Sequence, residues 1–294
     1  MSKICVIGDV NVDIVSLLRE PLQPNSDTQT SNSINLGGSP SNMSMWLATT
    51  KADVTFMAAV GDDLLGKWVI DRLHNGNLDT SKLQVVEGQR TGTCIILVGQ
   101  DGGRTMLPDP AANLYFKLGK SETDLINTSS VVVMSAYSFL RPETRPLAVE
   151  VANLVQNNSA RLVLDAASSA PISEVGVEIV RQYLLQADLI LANEDEFALL
   201  DNPEWTSQVS DLVVKQGPLG AKWLRSGQEV CQVPAKQVQV VDTTGAGDSF
   251  LAGLISVLAE HADWFAISDS DRQSALERGA QIAAVNISHV GATP

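Results

Sequence analysis

The chain has little cysteine, few aromatics and a shortage of positive charge. Its three cysteines, Cys5, Cys94 and Cys231, are scattered with no close pair among 294 residues. That excludes a disulfide framework and a cysteine-based zinc site. Each lies in an apolar, strand-like run, so buried inert thiols are expected. No apolar stretch is long enough to cross a bilayer. The opening run at residues 4–7 is too short for a signal-peptide core, and no small-residue cleavage site follows, so a cytoplasmic location is expected. Twenty basic against 34 acidic residues give a formal charge of −14. Such a balance excludes the extended positive surface that nucleic acid or anionic membrane would need. A nucleotide must then be held by backbone N–H groups, a helix N-terminus and a metal ion. Neither a Walker A string nor a G-x-G-x-x-G dinucleotide loop is present, which argues against a P-loop enzyme and a nicotinamide-dependent dehydrogenase.

Hydrophobic residues at 44% supply ample material for one large core. No repeat or Pro/Ser-rich linker cuts the chain, so a single unit over residues 1–294 is expected. Short apolar runs at 4–7, 54–60, 94–98, 131–134, 162–164, 189–191 and 212–214 read as strands. Amphipathic stretches at 41–49, 64–74, 143–156, 174–185, 248–260 and 272–287 read as helices. The alternation predicts an α/β fold with a mostly parallel sheet flanked by helices in three layers. Two polar segments, about 11–36 and 89–113, break the pattern. They are expected to form antiparallel strands outside the main sheet, a small β lid over the carboxyl ends of the parallel strands.

The chemistry concentrates in Asp242-Thr243-Thr244-Gly245-Ala246-Gly247-Asp248-Ser249-Phe250, between a strand-like run at 238–241 and an apolar helix. Gly245, Ala246 and Gly247 allow close approach of a ligand to backbone N–H groups at a helix start, where unpaired donors and the helix dipole favour an anion. Asp248 beside them is placed to accept a proton from an attacking hydroxyl. The structural alternative is a tight turn followed by a helix-start acid. A second string, Gly37-Gly38-Ser39-Pro40-Ser41-Asn42, opens a helix. Asn42 can both donate to and accept from sugar hydroxyls.

These two strings resemble the second and first motifs of the ribokinase-like (PfkB) carbohydrate kinases, and the similarity runs from Gly8 to Gly291. Gly8-Asp9-Val10-Asn11-Val12-Asp13 matches the end of the family's first strand. The resemblance implies that Asp13, with Asn11, Gly38 and Asn42, binds acceptor hydroxyls and that Asp248 is the base beside a Gly245–Ala246–Gly247 anion hole. Asn193-Glu194-Asp195-Glu196 matches the family's N-x-x-E element, implying that Asn193 and Glu196 arrange Mg²⁺ and phosphate, Glu196 through water. Lys215, Gly217 and Gly220 match a turn that contacts ATP. Asp242 and Thr244, with the 286–291 loop, correspond to a monovalent-cation (K⁺) site in some members.

The activity implied is ATP-dependent phosphorylation of a small sugar hydroxyl. Because each lid standing alone would expose strand edges, a homodimer with lid strands in contact is expected. A nucleoside kinase of the same fold is the alternative; it needs a slot for a base, for which Phe116, Tyr137 and Phe139 are candidates. A silent sugar-binding protein is a further one, which an intact Asp248 opposes. Departures bear on the substrate. Ser39 stands where ribokinases often carry Lys, and Tyr137 where ribokinase has an acid. The acceptor motifs carry no cation, and the lid arginines Arg90 and Arg104 are the nearest. A neutral polyhydroxylated acceptor is therefore expected ahead of a sugar acid, with a sugar phosphate last.

Overall fold

Alternate residues of the apolar strands face opposite ways, so a strand that is hydrophobic throughout can be covered on both sides. In the first strand Ile4 and Val6 enter one core cluster while Cys5 and Ile7 enter the other. The computed structural model describes residues 2–261, 263 and 266–294. Its strands are β1 (Lys3–Ile7), β2 (Asn11–Leu18), β3 (Thr30–Gly37), β4 (Asp53–Gly61), β5 (Leu83–Val86), β6 (Thr93–Val98), β7 (Arg104–Asp109), β8 (Val131–Ser135), β9 (Arg161–Asp165), β10 (Leu189–Asn193), β11 (Asp211–Lys215), β12 (Ala221–Arg225) and β13 (Gln228–Val233).

One sheet has the order β13-β12-β11-β10-β9-β8-β1-β4-β5. All neighbours from β11 to β5 are parallel, and β12 and β13 add an antiparallel hairpin at one edge. The helices are α1 (Ser39–Ala48), α2 (Leu64–Asn75), α3 (Lys120–Thr128), α4 (Tyr137–Leu140), α5 (Arg145–Gln156), α6 (Ser169–Val175), α7 (Val177–Leu184), α8 (Glu194–Leu200), α9 (Pro203–Gln208), α10 (Ala246–Leu258) and α11 (Asp269–Ile287). Residues of α1, α2, α10 and α11 join Val6, Phe56 and Val133 in one core layer. Those of α3 to α9 join Ile7, Met57 and Met134 in the other. The strand order reverses between β1 and β8, the topological switch at whose carboxyl ends α/β folds bind ligands.

The two polar segments meet in a separate four-stranded sheet of order β3-β2-β6-β7. β2 pairs antiparallel with β3 and β6 with β7, but the central pair β2–β6 is parallel. The expectation of an all-antiparallel lid is corrected there, because the segments arrive from separate crossovers and not through one hairpin. The run at 238–241 is not a strand. Val238, Val240 and Val241 are exposed, and the amides of Val241 and Asp242 bond the Ile287 carbonyl at the end of α11. The helix expected over 174–185 is broken at Gly176 into α6 and α7. Cys5 and Cys94 are buried as expected, whereas Cys231 is only half-buried. Among the described residues no helix is long and apolar enough to cross a membrane.

Candidate active site

Five parallel strands deliver side chains to one edge. Asp9 follows β1, Tyr137 follows β8, Asp165 ends β9, Asn193 ends β10 and Lys215 ends β11. Helices α1 and α10 pack on each other above that edge, each starting at a glycine in the positive-φ region: Gly38 at 92° and Gly245 at 74°. At Gly38 a Cβ would lie 2.5 Å from the Asp9 carbonyl, and at Gly245 2.7 Å from Ala292. Both positions therefore combine a left-handed backbone with absent space, which only glycine satisfies.

The two helix starts bring the motifs together. Ser39 Oγ donates to Asp248 Oδ1 at 2.7 Å and Asn42 Nδ2 to Oδ2 at 2.9 Å. Burial pushes the Asp248 carboxyl up to about 6, with those two hydrogen bonds opposing it. Asp13 lies over Gly37, where a Cβ would meet its carboxyl at 2.1 Å. Burial, then the charge of Asp248, lift Asp13 to about 6. Asn42 Oδ1 is buried without a partner among the described residues, an acceptor left open beside the carboxylate. The carboxamide of Asn11 accepts from Asn113, which also clamps the Val10 backbone on both sides at 3.0 and 3.1 Å.

The first amides of α10, like those of any helix, have no intrahelical acceptor, and Gly245 offers them no capping side chain. Ala246 N–H turns back to the Thr243 carbonyl at 3.3 Å. The amides of Gly247 and Asp248 take no backbone acceptor among the described residues. Beside them stands the amine of Lys215, 3.0 Å from where a Gly247 Cβ would be and 2.8 Å from Asp165 Oδ2. Burial pulls the Lys215 amine down, but the carboxylates of Asp165 and Glu196 outweigh it and leave the net shift upward. The sequence places Lys215 in a nucleotide-contacting turn; the fold brings its amine to the helix start. Gly217 and Gly220 shape the turn between β11 and β12, with Gly220 packed on the Val233 backbone.

Asn193 and Glu196 form a reciprocal cap on α8: Glu196 accepts from Asn193 N–H (2.8 Å) and Nδ2 (2.6 Å), and Asn193 Oδ1 accepts from Glu196 N–H. Burial, then the nearby Asp165 charge, push Glu196 up to about 7. Among the described residues no three acidic, histidine or cysteine side chains cluster to hold a metal unaided. A buried carboxylate crowded by Asp165, its oxygens already tied, fits a hydrogen bond to metal-bound water better than direct ligation. Mg²⁺ characteristically keeps such waters when it binds phosphates. A monovalent cation at Asp242 fits poorly. Oδ1 of Asp242 already accepts from Thr244 N–H (2.9 Å), Thr244 Oγ1 (2.7 Å) and Arg104 Nη2 (2.5 Å), and Oδ2 accepts from Gly291 N–H (3.0 Å).

Sequence reasoning missed Asp165, Arg141 and Asn113 as parts of this edge. An acid at the carboxyl end of a short apolar strand was the available signal for Asp165. Arg141 donates to Asp9 at 2.6 Å and lies 5.9 Å over the Tyr137 ring. Arg90 pairs with Asp109 on the lid surface. Phe139 is fully buried against Tyr183, and Phe116 packs on the core.

All residues from 1 to 294 match the family described as pfkB family carbohydrate kinase. A fructokinase of Klebsiella pneumoniae is 25% identical over 279 residues, covering 88% of this chain and 85% of its own length. The solved structure of adenosine kinase from Sinorhizobium meliloti superposes with a TM-score of 0.84 at 19% identity, over 100% of this chain and 96% of that one. A fructokinase with bound ATP from Xylella fastidiosa gives 0.82 at 20% identity, over 99% and 93%. The family match spans the whole chain, including the uncapped helix start and the carboxylate beside it: the chain belongs to the pfkB carbohydrate kinases, ATP-dependent phosphotransferases acting on an alcohol group.

Proposed function

We propose that the protein transfers the γ-phosphoryl group of ATP to a hydroxyl of a neutral, polyhydroxylated free sugar. One observation carries the reading: Asp248 is partly buried, held from both sides by Ser39 and Asn42, and set in the first turn of α10. The acceptor lies under the lid against Asp13, Asn11, Gly38 and Asn42, and the open Oδ1 of Asn42 accepts a hydrogen bond from one of its hydroxyls. Asp248 accepts the proton of the attacking hydroxyl. The amides at Gly245, Ala246 and Gly247, foremost that of Gly247, and the amine of Lys215 stabilise charge on the transferring group. Glu196 would hold Mg²⁺ through water, and the ion would supply charge neutralisation at the phosphates. Asn193 holds Glu196 in place, and the turn from Lys215 through Gly217 to Gly220 borders the nucleotide.

A neutral acceptor follows from charge. Arg141 is already paired with Asp9, Arg104 with Asp242 and Arg90 with Asp109, which leaves no free guanidinium over the acceptor motifs among the described residues. Phe139 and Phe116 are core residues, which removes two of three candidates for stacking a nucleoside base. The two lid segments, 11–36 and 89–113, act as one cover on a single catalytic unit. Its outer face carries Ile14, Ile34, Ile95 and Leu107 in register across all four strands, three of them exposed. We assign that uncharged row to a second copy, since a chain of charge −14 repels its like elsewhere. ATP as donor and three free thiols suit a reducing, cytoplasmic setting. The test is a competition assay at fixed ATP among free sugars, sugar acids, nucleosides and sugar phosphates. Preference for sugar phosphates or nucleosides by kcat/KM would overturn the acceptor assignment.

A further inference from the structure

Asp242 leads into the helix start through Thr244 and Gly245, so its environment sets the geometry of the anion-binding amides. Its carboxylate is partly buried, which alone would raise its pKa. The hydrogen bonds from Thr244 and Gly291 and the charge of Arg104 outweigh burial and hold it below the usual range. The cation paired with it, 2.5 Å from Oδ1, is carried on the lid: Arg104 is the first residue of β7, 138 positions away in the chain. The side chain of Arg104 is 29% exposed and that of Asp242 17%, so solvent reaches the pair from the lid side while the carboxylate itself is partly covered. Register puts Arg104 on the same sheet face as Asp13, through Val98 and Leu17. The same strand face therefore covers the acceptor and clasps the turn.

We propose that Arg104 is the resident cation of the Asp242 turn, neutralising it in place of an added monovalent ion and setting the phosphate-binding helix start when the lid covers the acceptor. The inference rests on the kinase reading above for its catalytic consequence, but not for its binding consequence. Arg104 touches no reacting atom and acts through Asp242, so it is a positioning residue. Removing it leaves a partly buried carboxylate uncompensated, which an external cation can then reach.

The test compares wild type, Arg104→Ala and Arg104→Lys in potassium, sodium and choline chloride at matched ionic strength. Melting temperature, ATP affinity by calorimetry and steady-state kinetics are read. Wild type is expected to give the same values in all three salts. Arg104→Ala should lose on the order of tenfold in kcat and in ATP affinity in choline, with little change in acceptor KM. Potassium or added guanidinium should restore much of both, and Arg104→Lys should stay near wild type in every salt. Potassium-dependent melting or turnover of the wild type would overturn the proposal. So would an Arg104→Ala variant indistinguishable from wild type in choline, or one that no cation restores. If no acceptor is turned over by the wild type, the acceptor reading fails alone, and melting and ATP affinity still decide the role of Arg104.

Discussion

A carboxylate that takes a proton near neutrality must be kept ionised yet poorly solvated. Asp248 meets both demands: burial raises it to about 6, and Ser39 and Asn42 limit the rise. Its pKa in the folded state lies above that of the unfolded chain, so folding favours the protonated form. Stability from this residue is present below about pH 4 and is lost as pH rises through about 6. At pH 7 the ionised group costs the fold on the order of 1–3 kcal/mol. Asp248→Asn should therefore raise the melting temperature at pH 7 while lowering kcat by roughly 10²–10⁴-fold. A variant with wild-type kcat rules out the base. The acidic limb of kcat/KM is expected near pH 6 in the wild type. Asn42→Ala removes a donor to the ionised form, so the limb should move to higher pH; an unmoved or lowered limb would count against the contact. At this scale the strings around Asp248 and Asn42 were readable, because each packs its chemistry into a few consecutive residues. The Lys215–Asp165 pair was not, because its members lie 50 positions apart and meet only when β9 and β11 are placed in one sheet.

Helix α10 begins without a side-chain cap, which for most helices would cost stability. Here the uncapped start is the feature that can bind phosphate. Gly245→Val forces a branched side chain into positive φ and onto Ala292, so it should shift the turn, abolish turnover and weaken ATP binding while leaving acceptor binding measurable. Calorimetry with each ligand separately checks this, and normal ATP affinity would reduce the string to a plain turn. The lid sheet exposes two edges, β3 and β7, and an apolar row on its outer face. Placing a charge at the β3 end of that row, Ile34→Glu, should convert a dimer at micromolar concentration into a monomer by sedimentation velocity. A wild type that is itself monomeric at that concentration removes the dimer. The strand runs of the main sheet were legible because they are apolar on both faces. The edge strands β5 and β13 were not recognised, because they are short, half-exposed and mixed in composition, nor was β12 beside β13, whose buried residues are interrupted by Lys222. The exposed valines at 238–241 misled for the opposite reason: β-branched composition without a neighbouring strand to pair.

Across the whole molecule, chemistry gathers at one end of the sheet and structural polar contacts at the other. Toward the start of β11, Asp211 accepts from Trp223 at 2.6 Å and sits 3.7 Å from the buried Arg272 of α11, fastening that helix to the sheet edge. Breaking that group by Arg272→Ala should lower stability by about 3–5 kcal/mol, read by denaturant unfolding, with kcat of the remaining folded enzyme unchanged. Altered catalysis with unaltered stability would contradict the division. The α/β class, the layered sheet and the two motif strings were determined by the sequence alone, since local periodicity and consecutive residues encode them. The parallel pairing of β2 with β6, the delivery of Lys215 and Asp165 to the helix start, the pairing of Arg141 with Asp9 and the clasp of Arg104 on Asp242 were decided only by the tertiary structure. Each joins residues from separate crossovers. Coulomb attraction and hydrogen bonding act on distance in space, which a linear pattern does not contain.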